Sequence, residues 1–176
     1  DISFKVKVSD RLILDENSTT SIAAASSENV HVIRTINANE WSTILLPFAL
    51  KKAQAEEIFG SDVQLCEFEG FEVAYPDDVD IPNSITINLK KFEMTSRKGM
   101  TAGKPYFIKV STKVESFNVD GVALVATPTS VNVQDENDTP GAFVGTFTKA
   151  FIPEDGLFIS GNKFYYSTGA TAVQGY

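Results

Sequence analysis

The chain opens on a regular alternation, with Ile2, Phe4, Val6 and Val8 interleaved with Ser3, Lys5, Lys7 and Ser9. A period of two sends successive side chains to opposite faces, so this stretch predicts a strand with one buried and one wet face. Leu12-Ile13-Leu14 extends the pairing, and the polar residues of 15–20 and 23–29 predict a flexible connection. Strand character returns over 30–36, Asn37-Ala38-Asn39-Glu40 makes a turn, and the apolar run over 41–46 predicts a strand buried on both faces, with Trp41, Leu45 and Phe48 in the core. Between 49 and 60 the pattern changes. Leu50, Ala53, Ile58 and Phe59 fall near helical spacing among Lys, Gln and Glu, with Gly60 where a C-terminal cap belongs, which predicts one short helix.

Strand-like runs follow at 63–68, 71–75, 85–94, 106–110, 122–126, 142–147, 157–160 and 163–167. The apolar phase is odd at Ile85, Ile87 and Leu89 and even at Phe92 and Met94, which predicts a bulge or strand break near Lys90-Lys91. Short strands separated by Gly, Pro, Asp and Asn favour antiparallel pairing. The fold class predicted is all-β: an antiparallel β-sandwich with Greek-key-like connections, at least eight strands and one short helix. A length of 176 residues suits one domain over 1–176, within which 1–29 could form a small N-terminal strand region packed on a core module of 30–176.

Composition narrows the function classes. Hydrophobic residues make up 43% of the chain and include 13 Phe, enough for a packed core. The net charge of -8 repels phosphate backbones and anionic headgroups, so nucleic acid and membrane surfaces are disfavoured as partners. Cys66 is the single cysteine, and no C-x-x-C or Cys/His cluster has the spacing of a zinc site. No apolar run approaches the ~18 residues of a membrane span, and no basic, apolar leader precedes Asp1, so any export signal is expected to lie outside this sequence.

Several segments in order carry a resemblance. They are Glu40-Trp41-Ser42-Thr43-Ile44-Leu45-Leu46-Pro47-Phe48, Ala55-Glu56-Glu57-Ile58-Phe59-Gly60, Gly103-Lys104-Pro105-Tyr106-Phe107-Ile108-Lys109, Phe143-Val144-Gly145-Thr146-Phe147 and Asp155-Gly156-Leu157-Phe158-Ile159-Ser160-Gly161-Asn162-Lys163-Phe164-Tyr165-Tyr166. Together they resemble the β-rich module of secreted and cell-surface Bacteroidetes proteins, over most of the chain from about Val30 onward. The resemblance implies an adhesin-like, extracellular module with neighbouring domains of a larger surface protein as partners. It also implies a further aromatic strand beyond Gly175-Tyr176, and it brings no catalytic residue.

Individual motifs point away from chemistry. Gly99-Met100-Thr101-Ala102-Gly103-Lys104-Pro105 is one residue short of a phosphate-binding loop and has Pro105 where a magnesium-binding hydroxyl is required, so a turn into the next strand is expected. His31, the only histidine, is embedded in an apolar strand with no nucleophile elbow elsewhere. Asp77-Asp78-Val79-Asp80 and Asp135-Glu136-Asn137-Asp138 could offer oxygens to calcium, but neither frame puts glycine at the sharp turn or Glu at the last position. Cys66 lies beside Glu67 with no basic sequence neighbour, which predicts a buried, inert thiol. No catalytic, cofactor-binding or metal-binding residue is therefore assigned.

Sugar binding would use exposed rings flanked by hydrogen-bonding groups, because a pyranose has an apolar face and a polar rim. Tyr165 and Tyr166 are the candidate ligand-binding residues, since adjacent strand positions face opposite ways and one ring must turn outward from a half-exposed strand. The expected function is a non-catalytic module for adhesion or for binding a glycan or a partner protein. The alternatives are a purely structural spacer in a larger surface protein and, third, a glycoside hydrolase using two of the many carboxylates.

Overall fold

The computed structural model describes residues 10–75 and 84–176. The alternation at 2–8 and the acidic stretch Asp77-Asp78-Val79-Asp80 therefore lie outside the described residues. Thirteen strands and one helix form among the described residues: β1 (Leu12–Asp15), β2 (Ala25–Ile36), β3 (Trp41–Leu45), α1 (Lys52–Phe59), β4 (Gln64–Ala74), β5 (Ser84–Lys91), β6 (Pro105–Lys109), β7 (Val114–Leu124), β8 (Val131–Gln134), β9 (Pro140–Phe143), β10 (Ala150–Phe151), β11 (Leu157–Ser160), β12 (Lys163–Tyr166) and β13 (Ala172–Val173). The fold is all-β, as expected, with one short helix among the described residues.

Two sheets carry most of the pairing. One has the order β1-β2-β7, with β1 parallel and β7 antiparallel to β2. The other has the order β3-β6-β4-β5 and is antiparallel throughout. Because β6 inserts between β3 and β4, this order differs from the Greek-key arrangement, in which the returning strand lies outside the first. Three antiparallel pairs complete the chain, β8-β9, β11-β12 and β10-β13.

Both sheets and α1 bury their apolar faces in a single cluster. Leu14, Val30, Val32 and Val119 come from the first sheet, Ile44, Leu65, Tyr106 and Ile108 from the second, and Ala55 and Phe59 from the helix. Phe59 meets Phe117 edge-on at 5.5 Å between ring centroids. Each fully buried large aliphatic side chain adds about 1.5–3 kcal/mol of transfer free energy. The helix starts where Gln54 Oε1 accepts the Lys51 N–H at 3.0 Å, and ends where the Gly60 N–H donates to Glu56 O at 3.0 Å. Leu45 and Phe48 are in the core as expected, whereas Trp41 is only half-buried at the start of β3.

A second apolar layer covers the opposite face of the four-stranded sheet. Phe107 is 4% exposed yet lies outside the main cluster, because it alternates with the inward Tyr106 and Ile108. Its ring stacks on Phe143 of β9 at 4.7 Å, Phe143 meets Phe68 of β4 at 6.0 Å, and Phe164 of β12 meets Phe107 at 6.1 Å. This two-sided burial explains the phase change in β5. Leu89 pairs with Phe68 and Ile87 with Phe71, while Phe92 donates its N–H to Leu65 O and joins the main cluster. The odd residues turn toward the second layer, where Ile85 and Ile87 are half-buried and Leu89 is exposed, and the even Phe92 turns to the main core. The strand break expected near Lys90-Lys91 is present, since β5 ends at Lys91, and the partner strand adds an irregularity between Phe68 and Gly70.

Three corrections concern strand extent. Residues 25–29, expected to be a flexible connection, form the first part of β2, with Ala25 paired to Leu124 and Glu28 to Val122. The expected strand at 122–126 is the end of the longer β7. The runs at 63–68 and 71–75 merge into the single strand β4.

Glu16 and Arg34 form a buried ion pair at 2.8 Å on the core-facing side of β2, where Arg34 alternates in phase with Val32 and Ile36. Glu16 Oε2 also accepts the Thr35 N–H at 3.1 Å, and Arg34 donates to the carbonyl oxygens of Thr35 and Thr43. The C-terminal residues close over the same region: the Gly175 N–H donates to Glu16 O at 2.8 Å, and the Tyr176 N–H to Thr146 O at 3.1 Å. Tyr176 stacks on Phe147 and is buried. A cavity of about 390 Å³ is lined by Leu12, Ile13, Ile22, Leu124 and Tyr176, among others.

Candidate contact surface on the C-terminal hairpin

Ser160-Gly161-Asn162-Lys163 reverses the chain between β11 and β12. Gly161 and Asn162 have φ of 53° and 64°, the left-handed pair of a type I′ hairpin turn, whose twist matches that of the flanking strands. The turn sets the register: Ile159 faces Phe164, Phe158 faces Tyr165 and Leu157 faces Tyr166. Asn162 also anchors the hairpin, since its Oδ1 accepts the Trp41 N–H at 2.7 Å. At the base, Ser167 Oγ donates to Ile152 O at 3.0 Å, and the Ser167 N–H donates to Gly156 O at 2.8 Å.

Alternation then divides the rings. Phe164 and Tyr166 share one side, where Phe164 reaches Phe107; Tyr165 and its cross-strand neighbour Phe158 share the other, 5.7 Å apart and inclined by 27°. Tyr165 is 47% exposed and Tyr166 56% exposed, so both candidate rings meet solvent, although on opposite sides. Phe151, 72% exposed, lies one residue before Ile152 at the hairpin base. Of the nine exposed large apolar or aromatic side chains among the described residues, four fall within 151–166. This concentration is the largest aromatic exposure described in the chain.

The charge distribution is equally uneven. From Gly156 to Tyr176 there is no Asp or Glu and one cation, Lys163, in a chain with 23 acidic residues. Ser160, Asn162 and Thr168 are exposed around the rings and supply hydroxyl and amide groups. Alternation along the sequence points only to the two tyrosines. Phe158 was legible too, because a Gly-Asn turn fixes its position opposite Tyr165, but Phe151 carries no sequence signal of its exposure.

The remaining candidates are spent on structure. In the 99–105 loop the Met100 N–H donates to Leu50 O, the Thr101 N–H to Tyr106 Oη and the Gly103 N–H to Leu46 O, so these amides are not directed at an anion. Lys104 Nζ pairs with Glu67 at 2.7 Å, and the loop is the turn into β6 that was expected. His31 Nδ1 lies 2.7 Å from Asn118 Oδ1 across the β2-β7 ladder. Asp135 Oδ1 accepts the N–H groups of Asn137 and Thr139 at 2.9 and 2.8 Å, folding the β8-β9 loop around itself. Burial acts to raise the Asp135 pKa, but these hydrogen bonds outweigh it and hold the carboxyl below its ordinary value. No group of three or more His, Cys, Asp or Glu side chains among the described residues could hold a metal ion.

Cys66 departs from expectation in two respects. It is half-buried, and the pairing of β4 with β5 places Lys91 opposite it. Burial pushes the thiol pKa up and Lys91 only partly offsets that, so the thiolate is not favoured. No helix among the described residues is long and apolar enough to cross a membrane. Comparison with protein-family models, curated proteins and solved structures gives no match.

Proposed function

We propose that this chain is a non-catalytic extracellular module of a bacterial cell-surface protein, working by contact through the β11-β12 hairpin. The observation that carries the reading is the exposed group of Phe151, Phe164, Tyr165 and Tyr166, which leaves large rings in water where burial would be favourable. The hairpin is held by the Asn162 anchor and by the Phe164–Phe107 contact, so its rings are presented on a fixed support. The resemblance of the segments from Glu40 to Tyr166 to modules of secreted Bacteroidetes proteins supports the surface location.

The test is an array of immobilised glycans and matrix proteins probed with the labelled chain, with hydrolysis of the same ligands assayed in parallel. Binding without turnover that is lost in the Tyr165→Ala, Tyr166→Ala double variant is the expected result. Turnover that disappears on changing one carboxylate to its amide would move the protein into the enzyme class. A complete lack of binding would leave the spacer reading.

A further inference from the structure

Two copies of one short motif lie in turns outside the β11-β12 hairpin. Of the ten asparagines in the chain, only Asn17 and Asn137 have a Ser or Thr two positions on, and both stand in the same frame, Asp15-Glu16-Asn17-Ser18-Thr19 and Asp135-Glu136-Asn137-Asp138-Thr139. Asn-x-Ser/Thr, with x other than proline, is the acceptor pattern for asparagine-linked glycan, and the context that it requires is an exposed loop of an exported protein. Resting on the extracellular placement proposed above, we propose that Asn137 is a glycan acceptor in the folded protein, taking an oligosaccharide from a polyprenyl-diphosphate carrier. Asn17, in the same frame, is an acceptor only while the chain is unfolded.

The two frames turn alike. Asp15 Oδ1 accepts the Asn17 N–H at 2.8 Å and Asp135 Oδ1 accepts the Asn137 N–H at 2.9 Å, so each Asp closes a local turn and each Asn is exposed.

Their surroundings differ. Glu16 is buried against Arg34, its main-chain oxygen accepts the Gly175 N–H, and Ser18 O accepts the Lys149 N–H, so the residues on both sides of Asn17 are tied into the fold. Residues 136–140 are all exposed, and the main-chain bonds at the β8-β9 tip close on the tip itself, from the Asp138 N–H to Asp135 O at 3.2 Å and from the Asp135 N–H to Thr139 O at 3.0 Å. The Asn137 carboxamide has no hydrogen bond among the described residues. A transferase must seat the acceptor amide and the hydroxyl two residues on together, which a tip held only by its own bonds allows at a small local cost and a turn held by the core does not.

The transfer is a substitution at carbon. Asn137 Nδ2 forms a bond to the anomeric carbon of the first sugar, the bond from that carbon to the diphosphate oxygen breaks, and the polyprenyl diphosphate leaves with the electron pair. Nδ2 gives up one proton to a base of the transferase, and nothing is oxidised or reduced.

The test incubates the full folded chain with a bacterial oligosaccharyltransferase and an undecaprenyl-diphosphate-linked oligosaccharide, with peptide mass spectrometry to read each site. Synthetic peptides covering 12–22 and 132–142 carry the same frames without the fold. Relative to its peptide, Asn137 in the chain should keep its rate within about threefold, while Asn17 should lose about tenfold or more, because its turn must first be opened. Asn137→Gln and Thr139→Ala should each abolish transfer at the tip, and Thr139→Ser should retain it, since the pattern requires the hydroxyl. Circular dichroism of each variant establishes that the fold is kept.

No transfer to Asn137 in the folded chain, transfer that Thr139→Ala leaves intact, or equal protection of Asn137 and Asn17 would each overturn the proposal. Transfer to Asn137 without binding on the array would leave this inference standing beside the spacer reading. Array binding that depends on Tyr165 and Tyr166, without transfer to Asn137, would overturn this inference alone.

Discussion

At the scale of single residues, close approach and buried charge decide the sensitive positions. A Cβ placed on Gly99 would lie 2.0 Å from Leu50 O, inside the bridge where Leu50 and Met100 exchange hydrogen bonds of 3.1 and 2.8 Å. Gly99→Ala must force the two backbones apart, and a loss of about 1–3 kcal/mol is expected in urea denaturation. Glu16 and Arg34 behave differently, because each brings a charge into the interior that the other neutralises. Glu16→Ala strands a buried guanidinium and is expected to cost about 3–5 kcal/mol, whereas Glu16→Leu combined with Arg34→Met should recover much of that loss. Denaturant midpoints of the single and double variants separate the two outcomes.

Asp135 gives the residue scale its pH dependence. Its folded pKa is depressed, so its hydrogen bonds to Asn137 and Thr139 add stability above the unfolded-state pKa, and that stability is lost as pH falls through the folded value. The amide resonances of Asn137 and Thr139 should therefore titrate on the acid side of an ordinary aspartate. Asp135→Asn should abolish that titration.

At the scale of elements, legibility followed the regularity of the ladder. The helix over Lys52–Phe59 and the hairpin strands β11 and β12 were readable because capping, turn chemistry and periodicity agreed locally. The part of β7 before Val122 is not legible in the sequence for a physical reason. Its buried residues Val114, Phe117, Val119, Val122 and Leu124 are spaced three, two, three and two apart. Gly121, with φ of 63°, takes up an extra residue where β7 advances three positions against two on β2, so strict alternation is broken. Residues 25–29 were missed because Ala, Ser, Glu and Asn have loop composition and are held extended only by pairing with β7. The candidate surface was half legible. Tyr165 and Tyr166 stood out as strand aromatics, but which ring pairs with Phe158 and which faces Phe107's side depends on the register. Asn162 ties that register to the sheet through its left-handed φ and its bond to the Trp41 N–H. Asn162→Ala is expected to lower stability by about 1–2 kcal/mol through the turn, with a further ~1 kcal/mol from the lost hydrogen bond, read as a drop in Tm.

At the scale of the whole molecule, one cluster joins both sheets and the helix, so no part of this core can be lost separately. Urea unfolding followed by far-ultraviolet circular dichroism and by fluorescence of Trp41, the single tryptophan, should give coincident transitions. Separate midpoints would show that the hairpin layer around Phe107 and Phe143 melts independently of the main core.

The bond between Glu16 and Gly175 has a further consequence, for closure. The Gly175 N–H reaches Glu16 O, the Tyr176 N–H reaches Thr146 O, and the Tyr176 ring lies on Phe147, so segments far apart in sequence are laced together by the backbone itself. Glu16 is thereby gripped twice, at its main chain by Gly175 and at its side chain by Arg34. Such a latch closes a very large loop, and the entropy of that closure is met only once the core has already brought the segments together.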